Sequence, residues 1–265
     1  MDSKRESSLK EKIIEVVNVS RRIGQGSGYV DVLANVDFYA RRGEVVSVIG
    51  PSGCGKSTFL DILAGLERPD SGTVTVHGLH TENLLGSVGY MQQKDLLLPW
   101  RNVLDNVILG LEVQGVSKSL ARKRAISHLD EFGLAGFENE YPYALSGGMK
   151  QRAAFLRTIL TDSNVLLLDE PFGALDALNR TQLHEWLLNL LEAYREKSVV
   201  IVTHDVEEAL FLSDRLYVMS SRPGTIQMVE KMWLGRPRNR NIVNTPEFVD
   251  VKSRILSHLL GVGMI

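Results

Sequence analysis

GPSGCGKST, at Gly50–Thr58, follows the unbroken apolar run EVVSVI at Glu44–Ile49 and runs into Thr58–Leu66, whose apolar residues have helical spacing. A continuous apolar run suits a strand covered on both faces, so the segment reads strand, Gly-rich loop, helix. Gly50–Ser57 fits G-x-x-x-x-G-K-[ST] in that context. Glycines let successive backbone N–H groups turn inward without Cβ interference, making a concave anion nest. The following helix adds unpaired N–H groups and the positive end of its dipole. The loop Gly50, Pro51, Ser52, Gly53, Cys54, Gly55, Lys56, Ser57 and Thr58 therefore reads as a nucleotide-phosphate cradle. Lys56 is placed to reach the β- and γ-phosphates, the Ser57 hydroxyl to ligate Mg²⁺, and Thr58 to support the α-phosphate. Cys54, the single cysteine, stands where only a backbone is needed and is read as a spectator.

Outward from the cradle, Ile13–Val19 and Val32–Phe38 read as strands around the Gly-rich turn Gly24–Gly28, with further short strands at Thr73–Val76 and Val88–Met91. Arg101–Gln114 and Ser117–Phe132 read as helices, with Val103, Leu104, Val107, Ile108 and Leu111 forming one apolar stripe. A helix from Met149 leads to strand Val165–Leu168; helix Ala177–Glu196, strand Ser198–Val202, helix Val206–Leu212 and strand Leu216–Met219 follow. This alternation predicts an α/β fold with a mostly parallel sheet and an N-terminal antiparallel β part. The expected organisation is one domain over 1–265: a core from 1–93 and 151–230, an inserted helical subdomain at 94–150, and a C-terminal extension at 231–265. Within that extension, GRPRNRN at Gly235–Asn241 reads as a solvated basic loop carrying Arg236, Arg238 and Arg240, and Pro246–Leu260 as a last helix.

VLLLDE at Val165–Glu170 is an apolar strand ending in two carboxylates. Asp169 is placed to hold Mg²⁺ through water, as an acidic residue after a buried strand does in enzymes with such a loop. Glu170 can serve as general base or orient the attacking water. His204 follows another apolar strand, SVVIVT, and so belongs to the same carboxyl edge of the sheet, where ligands of open α/β sheets bind. An imidazole there can hydrogen-bond a γ-phosphate oxygen. His77, His80, His128, His184 and His258 lack such a context and read as ordinary loop residues.

Bulk properties narrow the field. The 265 residues carry 30 Lys and Arg against 32 Asp and Glu, so charge gives no reason to expect nucleic acid as a partner. One cysteine excludes an intramolecular disulfide. MDSKRESSLKEK has no apolar core of a secretory signal, and no run approaches the roughly 18 apolar residues that a membrane-spanning helix needs.

Taken in order, GPSGCGKST, Gln93, LSGGMKQR at Leu145–Arg152, VLLLDE, GALD at Gly173–Asp176 and His204 resemble the nucleotide-binding subunit of ABC transporters over nearly the whole chain. LSGGMKQR departs only lightly from the commonest form, LSGGQQQR. The resemblance implies a P-loop NTPase core that binds ATP and Mg²⁺. It also implies that Ser146, Gly147 and Gly148, at a helix N-terminus, close over ATP held by a second, identical cassette in a head-to-tail pair. Asp176 would lie at the same interface, and Gln93 would link the γ-phosphate, its Mg²⁺ and its water to the helical subdomain. Relatives carry an adenine-stacking aromatic shortly after the first strand; that place falls at Ile23 here, and nearby Tyr29 is the candidate substitute.

QKDLLLPW at Gln93–Trp100 and SSRPGTI at Ser220–Ile226 resemble a subgroup of importers for nitrate, taurine, alkanesulfonates, bicarbonate or pyrimidine thiamine precursors. The resemblance implies membrane permease subunits as partners, an extracytoplasmic solute-binding protein acting indirectly, and a peripheral position on the cytoplasmic face of the inner membrane. Leu96–Leu98 and Trp100 are candidates for meeting the permease. The alternative is a soluble ABC-type ATPase acting on DNA or ribosomes. Such proteins usually show a coiled-coil arm, zinc motifs or tandem cassettes, and the interval Thr58–Leu145 has no room for an arm. A small-molecule kinase would leave LSGGMKQR unexplained.

Overall fold

The apolar runs at β3 (Val45–Ile49), β7 (Val165–Asp169) and β8 (Ser198–Thr203) are buried along their whole length. They form the centre of a six-stranded sheet in the computed structural model, which describes residues 11–24, 28–173 and 177–259. Strand order is β10-β9-β3-β8-β7-β6, with β6 at Gly89–Met91, β9 at Arg215–Met219 and β10 at Ile226–Lys231. All neighbours run parallel except β10, which is antiparallel to β9. Side chains alternate across the sheet. Leu166, Leu168, Val199 and Ile201 join one apolar cluster, while Val165, Leu167, Val200 and Val202 join the other. Both faces therefore have a core to fill, which is why these runs show no polar alternation.

The face of Val165, Leu167, Val200 and Val202 is covered by the N-terminal antiparallel sheet, order β2-β1-β4-β5, built from β1 (Lys12–Ile23), β2 (Val30–Arg41), β4 (Ser71–Val76) and β5 (Leu79–His80). Phe38 of β2 meets Tyr217 of β9 with ring centroids 4.6 Å apart, and the Tyr217 hydroxyl donates to the Tyr39 carbonyl at 3.1 Å. Helix α1 (Lys56–Leu63) is sandwiched there through Phe59, Leu60, Ile62 and Leu63. The opposite face receives helices α2 (Val103–Val107), α3 (Leu109–Val113), α4 (Lys118–Ile126), α5 (Gly147–Ile159) and α6 (Ala177–Ala193). Helix α7 (Val206–Leu212) and the last helix, α8 (Pro246–Leu259), share a third cluster with Ile49, Leu216 and Val218. Among the described residues, no helix is long and apolar enough to cross a membrane.

Three expectations are corrected. The stripe Val103–Leu111 is buried as read, but the helix expected over 101–114 breaks at Ile108, which ends α2 and begins α3. Gly110 lies just beyond the break, where a Cβ would approach Thr161 Cγ2 to 2.7 Å; glycine supports helix poorly but permits this approach. The helix expected to reach Phe132 stops at Ile126, where the Ser127 hydroxyl takes the Arg124 carbonyl at 2.7 Å.

The third correction concerns the basic tail. Arg236 and Arg238 are not solvated: their side chains are 10% and 0% exposed. Arg236 pairs with Asp214 and Glu192, each at 2.9 Å, and donates to the Leu212 carbonyl. Arg238 donates to the Phe211 and Ser213 carbonyls at 2.9 Å and pairs with Asp214 at 3.1 Å. Burial and the neighbouring Arg236 push Arg238 down to about 10, still charged at neutral pH. The two guanidiniums thus cap the C-terminal end of α7, satisfying carbonyls that a helix leaves open.

Candidate nucleotide site

Parallel register gathers the sequence-predicted groups at one edge. Ile49, the residue before the cradle, lies opposite Thr203 and Val218, and Asp169 lies opposite Val202. Met91 pairs with Leu168, so Gln93 follows at the same edge. These strand ends open onto a cleft of about 650 Å³. Ser52, Gly53, Gly55, Lys56, Ser57 and Thr58 line it, facing Gln93, Glu170 and His204, with Ile23, Val30 and Val32 as its aliphatic part.

The cradle is shaped by left-handed glycines. Gly53 has φ +73° and Gly55 φ +111°; a Cβ at Gly55 would come within 2.8 Å of Leu33 Cδ2. Helix α1 starts directly after it at Lys56. The Lys56 ammonium donates to the carbonyls of Gly50 at 2.9 Å and Pro51 at 3.0 Å, so it is folded back onto its own loop. Cys54 is buried, and burial pushes its thiol up, away from the reactive thiolate. Gly50, Pro51 and Cys54 shape the loop from outside the cleft lining.

Asp169 is 5% exposed and hydrogen-bonded by Ser57. Burial, with help from Glu170 and Asp61, pushes its carboxyl above the usual range against the opposing pull of Ser57 and Lys56. Asp61, on α1, accepts from the Tyr90 hydroxyl at 3.1 Å. No group of three or more His, Cys, Asp or Glu among the described residues forms a metal cage. A hydroxyl and a carboxylate are hard oxygen donors, however, and suit Mg²⁺ that brings phosphates and waters of its own.

Glu170, Gln93 and His204 form one contact cluster. Gln93 Nε2 donates to Glu170 Oε2 at 2.9 Å, and His204 Nδ1 lies 3.4 Å from the same oxygen. Glu170 has φ +43°, a conformation unfavourable to a non-glycine residue. It is held there by its N–H to the Val202 carbonyl at 2.8 Å and by Gly173 N–H to its own carbonyl at 3.0 Å. Strain so fixed is common where a side chain must be aimed.

Ser146 caps α5, its hydroxyl accepting from Met149 N–H at 3.3 Å, and Gly147 and Gly148 form the first turn. None of these three lines the chain's own cleft. Asp176 lies outside the described residues. Tyr29 is 62% exposed and does not line the cleft, whereas Ile23 does. The aliphatic groups of Ile23, Val30 and Val32 stand where the substitute aromatic was expected.

The profile of the family described as ABC transporter matches residues 33–173. The nitrate import ATP-binding protein NrtD of Synechocystis is 41% identical over 254 residues, 94% of this chain and 95% of its own. The chain belongs to the ABC transporter family. This cassette is also 47% identical over 192 residues to the formylaminopyrimidine import ATP-binding protein ThiZ of Halalkalibacterium halodurans, covering 72% of this chain and 74% of that one. A third relative, the aliphatic sulfonates import ATP-binding protein SsuB of Bacillus cereus, is 38% identical over 95% of this chain and 98% of its own. Among solved structures, a dimeric ATP-binding cassette in a post-hydrolysis state with ADP and Pi superposes with a TM-score of 0.73 at 31% identity. That match covers 84% of this cassette and 100% of the other chain. The cassette is an ATP-binding ATPase coupled to transport.

Two features of the site escaped the sequence reading. Asp61, held by the Tyr90 hydroxyl, places a second carboxylate near enough to oppose the charge on Asp169, and neither residue has a motif to announce it. Arg222 lines the cleft from the loop after β9. An arginine in a Gly/Pro-containing turn directly after a strand of this sheet was the available signal.

Proposed function

We propose that the cassette is the ATP-hydrolysing subunit of an importer for a small solute, of the nitrate, sulfonate or taurine, bicarbonate, or pyrimidine thiamine-precursor type. It would act at the cytoplasmic face of the inner membrane with permease subunits and, indirectly, an extracytoplasmic solute-binding protein. The observation that carries the reading is the convergence of Gln93 and His204 on the Glu170 carboxylate beside the Lys56–Ser57 cradle. The names of the relatives support import.

In this mechanism the triphosphate takes the cradle N–H groups, and Lys56 leaves the Gly50 and Pro51 carbonyls for the phosphates. Ser57, Asp169 and Gln93 would hold Mg²⁺, whose chemistry is to neutralise charge on the β- and γ-phosphoryl oxygens. Glu170 accepts a proton from the attacking water as the bond between the γ-phosphorus and the bridging oxygen breaks. His204 hydrogen-bonds a γ-phosphate oxygen, and Gln93 donates to the Glu170 carboxylate to aim it. Ser146, Gly147 and Gly148 would close over ATP held by a second copy, with Asp176 assigned to the same contact by the family resemblance alone, so ATP joins two cassettes and cleavage releases them. The segment 94–150 carries the motion to the permease through Leu96, Leu98 and Trp100, of which Leu96 and Trp100 are 49% and 71% exposed.

Glu170→Gln tests this. The variant should bind ATP, lose turnover by about 10²-fold or more, and accumulate an ATP-dependent dimer in size-exclusion light scattering. Full turnover, or a strictly monomeric trapped variant, would reject the mechanism.

A further inference from the structure

Arg222 sits on the turn between β9 and β10, and its Nε and Nη2 both donate to the Gly53 carbonyl, at 3.1 and 2.8 Å. Gly53 is one of the left-handed residues of the cradle, with φ +73°. The rotation that turns N–H groups toward an anion turns carbonyls away from it, where a charged donor can hold them in place of water. Lys56 serves Gly50 and Pro51 in this way, but its ammonium is the group that moves to the phosphates. The Arg222 fork is engaged with backbone and need not let go.

The turn that presents Arg222 is itself fixed on both sides. Ser220 N–H donates to the Thr225 carbonyl and Thr225 N–H to the Ser220 hydroxyl, both at 2.9 Å. Gly224 exchanges backbone hydrogen bonds with β2, to the Val32 carbonyl at 2.8 Å and from Ala34 N–H at 3.0 Å. A Cβ on Gly224 would stand 2.4 Å from the Cys54 carbonyl, so the turn is pressed against the cradle. One short segment therefore ties the phosphate loop to the strand whose Val30 and Val32 line the aliphatic part of the cleft.

We propose that Arg222 is a positioning residue for nucleotide binding: it locks the Gly53 turn in its anion-binding conformation, so that ATP and ADP meet a nest already formed. Holding a binding loop in shape before the ligand arrives raises affinity by removing an ordering cost. The inference rests on the reading of this cleft as the nucleotide site.

The test compares Arg222→Ala, Arg222→Gln and Arg222→Lys with wild type and with Lys56→Ala. It measures ATP and ADP affinity by calorimetry, steady-state kcat and KM, and melting temperature without nucleotide. Arg222→Ala should weaken ATP and ADP alike by about tenfold, the scale of one charge-assisted hydrogen bond. KM should rise by a similar factor while kcat at saturation stays within about twofold. Arg222→Gln, neutral but able to present an N–H to Gly53, should recover part of the loss. Unchanged affinity in all three variants would overturn the proposal, as would full recovery by Lys with none by Gln, which would assign the effect to charge alone. If Arg222→Ala does not fold, the Gln and Lys variants decide between the same outcomes. Wild-type protein that binds no nucleotide would sink the reading of the cleft itself. Binding lost in Lys56→Ala but untouched in the Arg222 variants would sink only the role of Arg222.

Discussion

Asp169 is a carboxylate kept where burial opposes its charge, beside Glu170 and Asp61. Its folded-state pKa lies above the unfolded one, so the folded protein holds this proton more tightly. That contribution favours folding below the unfolded value and is lost as pH rises through the folded value. At neutral pH the ionised group therefore destabilises the metal-free protein. Asp169→Asn should raise the melting temperature in EDTA by about 2–4 °C, the shift that 1 kcal/mol produces in a chain of this size. The same variant should lose the Mg²⁺ dependence of ATP binding; a lower melting temperature in EDTA would contradict the argument. The residue types of the site were legible because phosphate chemistry demands them at fixed spacing. The left-handed Glu170 was not, since its conformation is imposed by Val202 and Gly173 across the sheet edge.

Among the elements, the loop QKDLLLPW shows how a buried amide sets the shape of an exposed surface. Asn106, fully buried on α2, accepts from Leu98 N–H at 2.7 Å and donates to the carbonyls of Leu98, Arg101 and Asn102. Arg157 of α5 holds the Leu96 and Asp95 carbonyls from the other side. Asn106→Ala should destabilise the protein by about 2 kcal/mol, because it leaves buried backbone groups unpaired. Hydrogen exchange should quicken at Leu98 while ATP affinity holds; unaltered exchange there would contradict it. The central strands were readable because burial on both faces erases alternation. β10 was missed because its half-exposed IQMVEK gives a weak pattern. The break at Ile108 was missed because the apolar stripe runs through it unchanged.

For the whole molecule, the buried arginine pair ties the segment after β10 to Glu192, Asp214 and the end of α7. Arg236→Ala would leave Asp214 and Glu192 without this partner and the Leu212 carbonyl of α7 without its donor, for a loss of about 3 kcal/mol. Urea unfolding should show that loss, and hydrogen exchange should quicken across α8 before the central strands. A variant as stable as wild type would mean the tail is held by α8 packing alone. The sequence reading placed these arginines in solvent because charge and Gly/Pro content usually mean a loop surface. The partners that bury them, Glu192 and Asp214, lie too far along the chain for local pattern to connect.

Lys56 resting on the Gly50 and Pro51 carbonyls has a consequence for selectivity in a cell full of small anions. Any newcomer has to out-compete ligands the lysine already owns. Free orthophosphate or sulfate offers one cluster of oxygens in that exchange, whereas a nucleoside triphosphate also fills the floor at Ser57 and Thr58 and the greasy slot beyond. Preference for the nucleotide over inorganic anions would then be a difference between two affinities rather than a barrier at the entrance.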